Sequence, residues 1–188
     1  MHRVIKFGLV LIAALGVAGV SAVSVSASGH EFYASKAGKT KSKATDAQVF
    51  KTGAGTLECT EVVGSGTMAE GLSTAHKEVF TYSGCSAFGS KVKVSAAHFE
   101  FNANGAVKLE NEVTIVPTKE ECEVVIPPQT LEKATYENKS GGKVQAEATA
   151  TKIRSDPTGG TCGSTENLEG SYNGAALGEL EGGTLEWK

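Results

Sequence analysis

His98-Phe99-Glu100-Phe101-Asn102-Ala103-Asn104-Gly105-Ala106-Val107-Lys108-Leu109-Glu110 is the stretch on which the fold turns. Apolar and polar residues alternate on both sides of an Asn-Gly pair. A period of two places successive side chains on opposite faces of a strand. Asn-Gly favours the positive dihedrals that tight hairpin turns require. The segment therefore reads as a β-hairpin, with strands over His98–Asn102 and Val107–Glu110.

The same period continues outward in both directions. Toward the N-terminus, Val92, Val94 and Ala96 face away from Lys91 and Lys93, Val79 and Thr81 alternate with Phe80 and Tyr82, and Leu57 shares a face with Cys59. Gly64-Ser65-Gly66 reads as turn material. Toward the C-terminus, Val113–Val116 stops at Pro117. Cys122, Val124 and Ile126 alternate before Pro127-Pro128, which removes two backbone donors and should end a strand. Residues 130–138 fit a strand or a short helix. Gly141-Gly142 turns the chain into Val144, Ala146, Ala148 and Ala150, Asp156–Gly163 reads as a loop, and 171–177 and 184–187 can close the domain. This gives roughly nine to eleven short strands and no convincing amphipathic helix, the pattern of an all-β fold, either a β-sandwich or a closed antiparallel barrel. Ala, Val and Thr outnumber Leu, Ile and Phe, so the core must be rich in small residues. Lys, Glu and Gln at the alternate positions do not fit the outward apolar band of an outer-membrane barrel.

The N-terminus has a different character. Arg3 and Lys6 precede an uncharged apolar run from Phe7 to Val20, followed by small residues from Ser21 to Gly29. That order matches a secretory signal, and the run falls short of the roughly 20 apolar residues of a spanning helix. Both Val20/Ala22 and Val25/Ala27 fit a signal peptidase; the second makes residues 1–27 the signal peptide and Ser28 the first residue after cleavage. An uncleaved anchor is the competing reading. Residues 28–48, rich in Ser, Ala, Lys, Thr and Gly without apolar period, read as a flexible basic leader. Residues 49–188 then form a single β-rich domain, with no transmembrane segment after cleavage.

The formal charge of −3 becomes −5 without Arg3 and Lys6. Lysines concentrate near the start, and Lys36, Lys39, Lys41 and Lys43 are candidates for contact with an anionic surface, with a solvated linker as the plainer reading. The acidic remainder argues against a nucleic-acid partner, because phosphate contacts need a basic surface. Only Asp46 and Asp156 supply Asp, and a calcium loop depends on closely spaced Asp and Asn oxygens.

Cys59, Cys85, Cys122 and Cys162 make an even number in a chain read as exported, the setting in which cysteines pair. Pairing Cys59 with Cys85 and Cys122 with Cys162 closes two moderate loops, worth about 3.5 and 4 kcal/mol on a chain-entropy estimate. No C-x-x-C pair and no nearby His supports a metal site.

Catalytic motifs are wanting. His30, His76 and His98 form no H-E-x-x-H, no serine sits in G-x-S-x-G, and His76 and His98 read as strand or loop surface residues. Glu121 and Glu123 on one strand face would stand about 7 Å apart, a separation an inverting glycosidase could use. A water-facing acidic strand edge explains them equally. Asn138-Lys139-Ser140 fits a glycosylation acceptor. No catalytic residue, metal ligand or cofactor is assigned.

Four strings, His30-Glu31-Phe32, Gly55-Thr56-Leu57-Glu58-Cys59, Tyr82-Ser83-Gly84-Cys85 and the run from Cys122 to Gln129 (CEVVIPPQ), resemble those of an uncharacterised family of exported, actinobacterial-type β-domain proteins with two disulfides. The resemblance implies export and paired cysteines, and it transfers no functional residue. A looser similarity of class, to the small two-disulfide sandwiches that carry secreted chromophore antibiotics, does not license function. The expectation is a secreted, non-enzymatic domain that binds or builds at the cell envelope or outside the cell, its partner an envelope polymer or protein. A small-ligand carrier with an apolar cavity is the first alternative, and a secreted hydrolase the second.

Overall fold

The computed structural model describes residues 29–188 apart from 53–54, 88, 119–120, 132, 160–161 and 163–167. The expected signal peptide, 1–27, lies outside the described residues. The described chain is all β, with sixteen strands rather than nine to eleven.

The hairpin at the heart of the sequence is present as β8 (Ala97–Asn102) and β9 (Val107–Leu109), with Phe101 opposite Val107. Only Gly105, at φ 94°, takes the left-handed conformation. The Asn102 amide donates to the Ala106 carbonyl at 2.8 Å, so residues 103–105 form a three-residue loop that ends on a left-handed glycine.

Two long strands follow β8 in the ladder order. β6 (Ala75–Ala87) pairs β8 through its first half and β7 (Ser90–Val94) through its last residues, while its other edge pairs β4 (Gly55–Met68) over nearly its full length. β7 continues to β10 (Val113–Pro117), β10 to β11 (Glu123–Ile126), and β11 to the end of β14 (Lys143–Thr158). β14 pairs β15 (Leu168–Leu180), whose other edge takes β3 (Gln48–Thr52) and then β2 (Gly38–Ala44). Both β2 and β3 pair β4, and β4 pairs β6, so this antiparallel succession returns to the strand from which it began. β12 (Gln129–Leu131) extends it beyond β9, and β13 (Lys133–Lys139) beyond β14. Residues 130–131 and 133–138 are thus strand, not helix.

A separate three-stranded sheet joins the two ends of the described chain: β1 (Phe32–Ala34) lies between β5 (Gly71–Ser73) and β16 (Leu185–Trp187). Its buried Phe32, Ala34 and Leu185 belong to the main core.

Two sequence expectations change here. Residues 28–48 contain β1 and β2, and β2 is bonded on both edges, so the expected flexible leader is woven into the domain. Thr40 and Ser42 point inward between the exposed Lys39, Lys41 and Lys43; with Ala44 at its end as the one apolar side chain on the inward face, a hydropathy period cannot register this strand. Likewise β14 runs on through Pro157 to Thr158, where a loop was expected. A bulge between Ala150 and Ile153, with Lys152 at φ 54°, switches the inward set from Val144 and Ala150 to Ile153, Ser155 and Pro157. An inserted residue shifts a period of two by one, so unbroken alternation misses the continuation.

The disulfides join Cys59 to Cys85, which are direct partners across the β4–β6 ladder, and Cys122 to Cys162, which ties the residue before β11 to the segment between β14 and β15. No helix among the described residues is long and apolar enough to cross a membrane.

Candidate functional site

The inward faces of the paired strands are unequal. On β6 and β8 they carry Phe80, Tyr82, Phe99 and Phe101, with the Phe80 ring edge-on to both Phe99 and Phe101 at centroid separations of 5.7 and 5.9 Å. On β14 and β15 they carry Ala146, Ala148, Gly174, Ala176 and Gly178. Large rings on one side and small residues on the other leave unfilled space. A cavity of about 140 Å³ lies among them, lined overwhelmingly by apolar atoms.

Besides Ser42 on β2, polar groups enter this cavity at two places. At one, the Tyr172 hydroxyl donates to Gln48 Oε1, and Gln48 Nε2 donates to the Ala175 carbonyl at 3.0 Å, so the group is satisfied from within. Burial holds the Tyr172 phenol, and the nearby Tyr82 phenol, well above the usual tyrosine pKa; for Tyr82 the neighbouring Tyr172 adds to the effect.

The second place is a buried cluster. His76 and Glu78 lie two apart on the inward face of β6, and Thr40 faces them from β2. His76 Nε2 stands 3.1 Å from both Glu78 Oε1 and Thr40 Oγ1. An ionised carboxylate only accepts, so Nε2 carries the hydrogen directed at it. His76 Nδ1 has no hydrogen-bond partner among the described residues. Close by, the edge of β1 presents the Phe32 ring, which meets the His76 ring and the Tyr136 ring edge-on at centroid separations of 6.4 and 5.0 Å. The Tyr136 hydroxyl is likewise buried without a hydrogen-bond partner among the described residues, and burial raises its pKa. His76, Glu78, Phe32 and Tyr136 all line the cavity.

Space for this cluster comes from β4. Gly64 and Gly66, expected as turn material, sit within the strand. A Cβ at Gly64 would come within 2.7 Å of Glu78 Oε2 and 2.8 Å of the Phe80 ring; one at Gly66 would meet Thr40 Oγ1 at 2.9 Å. Glycine inside a strand marks close approach of this kind. His76 is accordingly buried rather than a surface residue, at 8% exposure, and Glu78 is at 5%. Stepping the β6 alternation back from Phe80 reaches Glu78 and then His76. That is the signal in the sequence, and because both residues are polar a hydropathy period does not register it.

The remaining candidates lie elsewhere. His98 is exposed on β8, and His30 stacks on Trp187 at 3.9 Å. Glu121 precedes β11 and does not share a strand with Glu123. Lys36 is exposed in the bend before β2, and Lys39, Lys41 and Lys43 point outward from β2 beside β15, where Lys41 pairs with Glu181 at 2.5 Å and stands opposite Glu179. Asn138 Nδ2 donates to the Trp187 carbonyl at 2.8 Å and Asn138 Oδ1 accepts from the Trp187 amide, so this amide holds β16 in place. Among the described residues no three His, Cys, Asp or Glu side chains gather as a metal site needs. The chain matches no protein-family model, no curated protein and no solved structure.

Proposed function

We propose that the protein is an exported binding domain, a closed antiparallel barrel that holds a small, mainly apolar molecule in its interior. The cavity carries this reading: about 140 Å³ with a nearly continuous apolar lining. An apolar void of about 150 Å³ in a protein core stays dry and takes up benzene, whereas drug-sized ligands occupy roughly 300–1,000 Å³. The favoured occupant therefore has about the bulk of one aromatic ring. Return of the strand pairing to its start supports the barrel, and two disulfides suit an oxidising compartment outside the cytoplasm.

Ligand-detected NMR of the exported, oxidised protein with benzene or toluene tests the reading. Saturable binding is expected, and Ala148→Leu, which puts bulk into the small-residue wall, should abolish it without unfolding the domain. If neither probe binds, or if both bind Ala148→Leu as tightly as the parent, the cavity is not a ligand site.

A further inference from the structure

Resting on the cavity reading, we propose that Ser42 is the polar subsite of the cavity, and that the natural ligand is a small aromatic molecule whose one neutral hydrogen-bonding substituent sits on the Ser42 hydroxyl. Ser42 lies on the inward face of β2 and lines the cavity, at only 7% exposure. Its hydroxyl makes no hydrogen bond among the described residues. His76 Nδ1 and the Tyr136 hydroxyl share that lack, but both are enclosed by protein, and Ser42 Oγ is not. A hydroxyl that faces an apolar space without a partner forgoes a hydrogen bond that a ligand can supply.

The strand register opens the space over this hydroxyl. Ser42 stands opposite Gly64 on β4 and opposite Gly178 on β15, so both of its cross-strand neighbours lack side chains. On the Gly64 side, Glu78 Oε2 and the Phe80 ring take up the room. On the Gly178 side, the nearest atom to an added Cβ would be Ser42 Oγ itself, at 3.1 Å. The hydroxyl therefore opens toward Gly178. One step along the same face come Ala44 on β2 and, opposite it on β15, Ala176. Successive inward side chains of a strand stand about 7 Å apart, so a single ring resting on Ala44 and Ala176 brings its substituent to Ser42. A serine hydroxyl both donates and accepts, and a ligand hydroxyl or carbonyl suits it equally. A charged group fits poorly, because an overwhelmingly apolar lining would strip its water.

Phenol and toluene are nearly equal in size and differ only at the substituent. Combined with Ser42→Ala, which removes the Oγ atom alone, they isolate this contact. Both are expected to bind the oxidised parent protein. Ser42→Ala should weaken phenol binding about tenfold and leave toluene as tight or tighter. Gly178→Ala, which covers the hydroxyl with a methyl group, should also weaken phenol more than toluene. A phenol affinity that Ser42→Ala leaves unchanged, or lowers no more than that of toluene, overturns the Ser42 assignment and leaves the cavity reading standing. A parent protein that binds toluene but not phenol does the same. Failure of both probes to bind the parent overturns the two readings together.

Discussion

A Cβ on Gly66 would overlap the carbonyl oxygen of Lys77 and press on Thr40 Oγ1, and one on Gly64 would displace Glu78 and Phe80. The absence of two side chains on β4 is therefore what admits His76, Glu78 and Thr40 to the interior. Since the neighbour at Gly66 is backbone, it cannot rotate away, and Gly66→Ala should cost about 1–3 kcal/mol by overpacking. Ser65→Ala, between the two glycines but exposed, should change stability by less than about 0.5 kcal/mol. Urea unfolding of the two variants compares them directly; equal midpoints would remove the packing role assigned to Gly66. At this scale the sequence was partly legible. Asn104-Gly105 announced its turn and the four cysteines their bonds, because both signals are chemical and local. Gly64-Ser65-Gly66 carried equally specific information, but glycine marks turns and close approaches alike, and only the neighbouring strand distinguishes them.

Strands were legible wherever one face was apolar and the period unbroken: the β8–β9 hairpin, β10, β11 and the first half of β14. Three-residue strands such as β1, β5 and β16 are too short to show a period, and β2 alternates Lys with Thr and Ser, so its inward face has no apolar signature. Breaks of parity hid the rest. On β6 the buried set includes Phe80 and then Cys85, a switch that falls at Gly84 with φ 61°. β14 makes its switch at Lys152, a non-glycine residue in the left-handed region. For an L-residue that conformation costs about 1–2 kcal/mol, part of which glycine forfeits through its greater freedom when unfolded. Lys152→Gly should accordingly stabilise the domain by about 0.5–1 kcal/mol, read as a higher urea midpoint at unchanged slope. A lower midpoint would show that the lysine side chain contributes more than its backbone conformation costs.

Across the whole molecule, the buried tyrosines join fold and site in one physical property. Tyr82, Tyr136 and Tyr172 contact or line the same cavity, and burial raises the pKa of each above its ordinary value. In the unfolded chain these phenols ionise near pH 10. The folded chain keeps its protons at that pH while the unfolded chain releases them, so the unfolded state binds fewer protons and stability falls as pH rises. The stabilising contribution is whole below about pH 10 and is lost as pH climbs toward the raised folded-state values. Each such tyrosine adds up to about 1.4 kcal/mol per pH unit to the slope. Phenolate absorbance of these three residues should therefore emerge together with the loss of β-structure, in one cooperative alkaline transition, and Tyr136→Phe should make that transition shallower by one proton. Bound toluene, which has no proton to lose in this range and binds only the folded state, should move the transition to higher pH by an amount that grows with the logarithm of its concentration over its Kd. Phenolate signals from all three tyrosines near pH 10 in a still-folded domain would mean that water reaches the interior freely. That would contradict the dry cavity on which the binding reading depends.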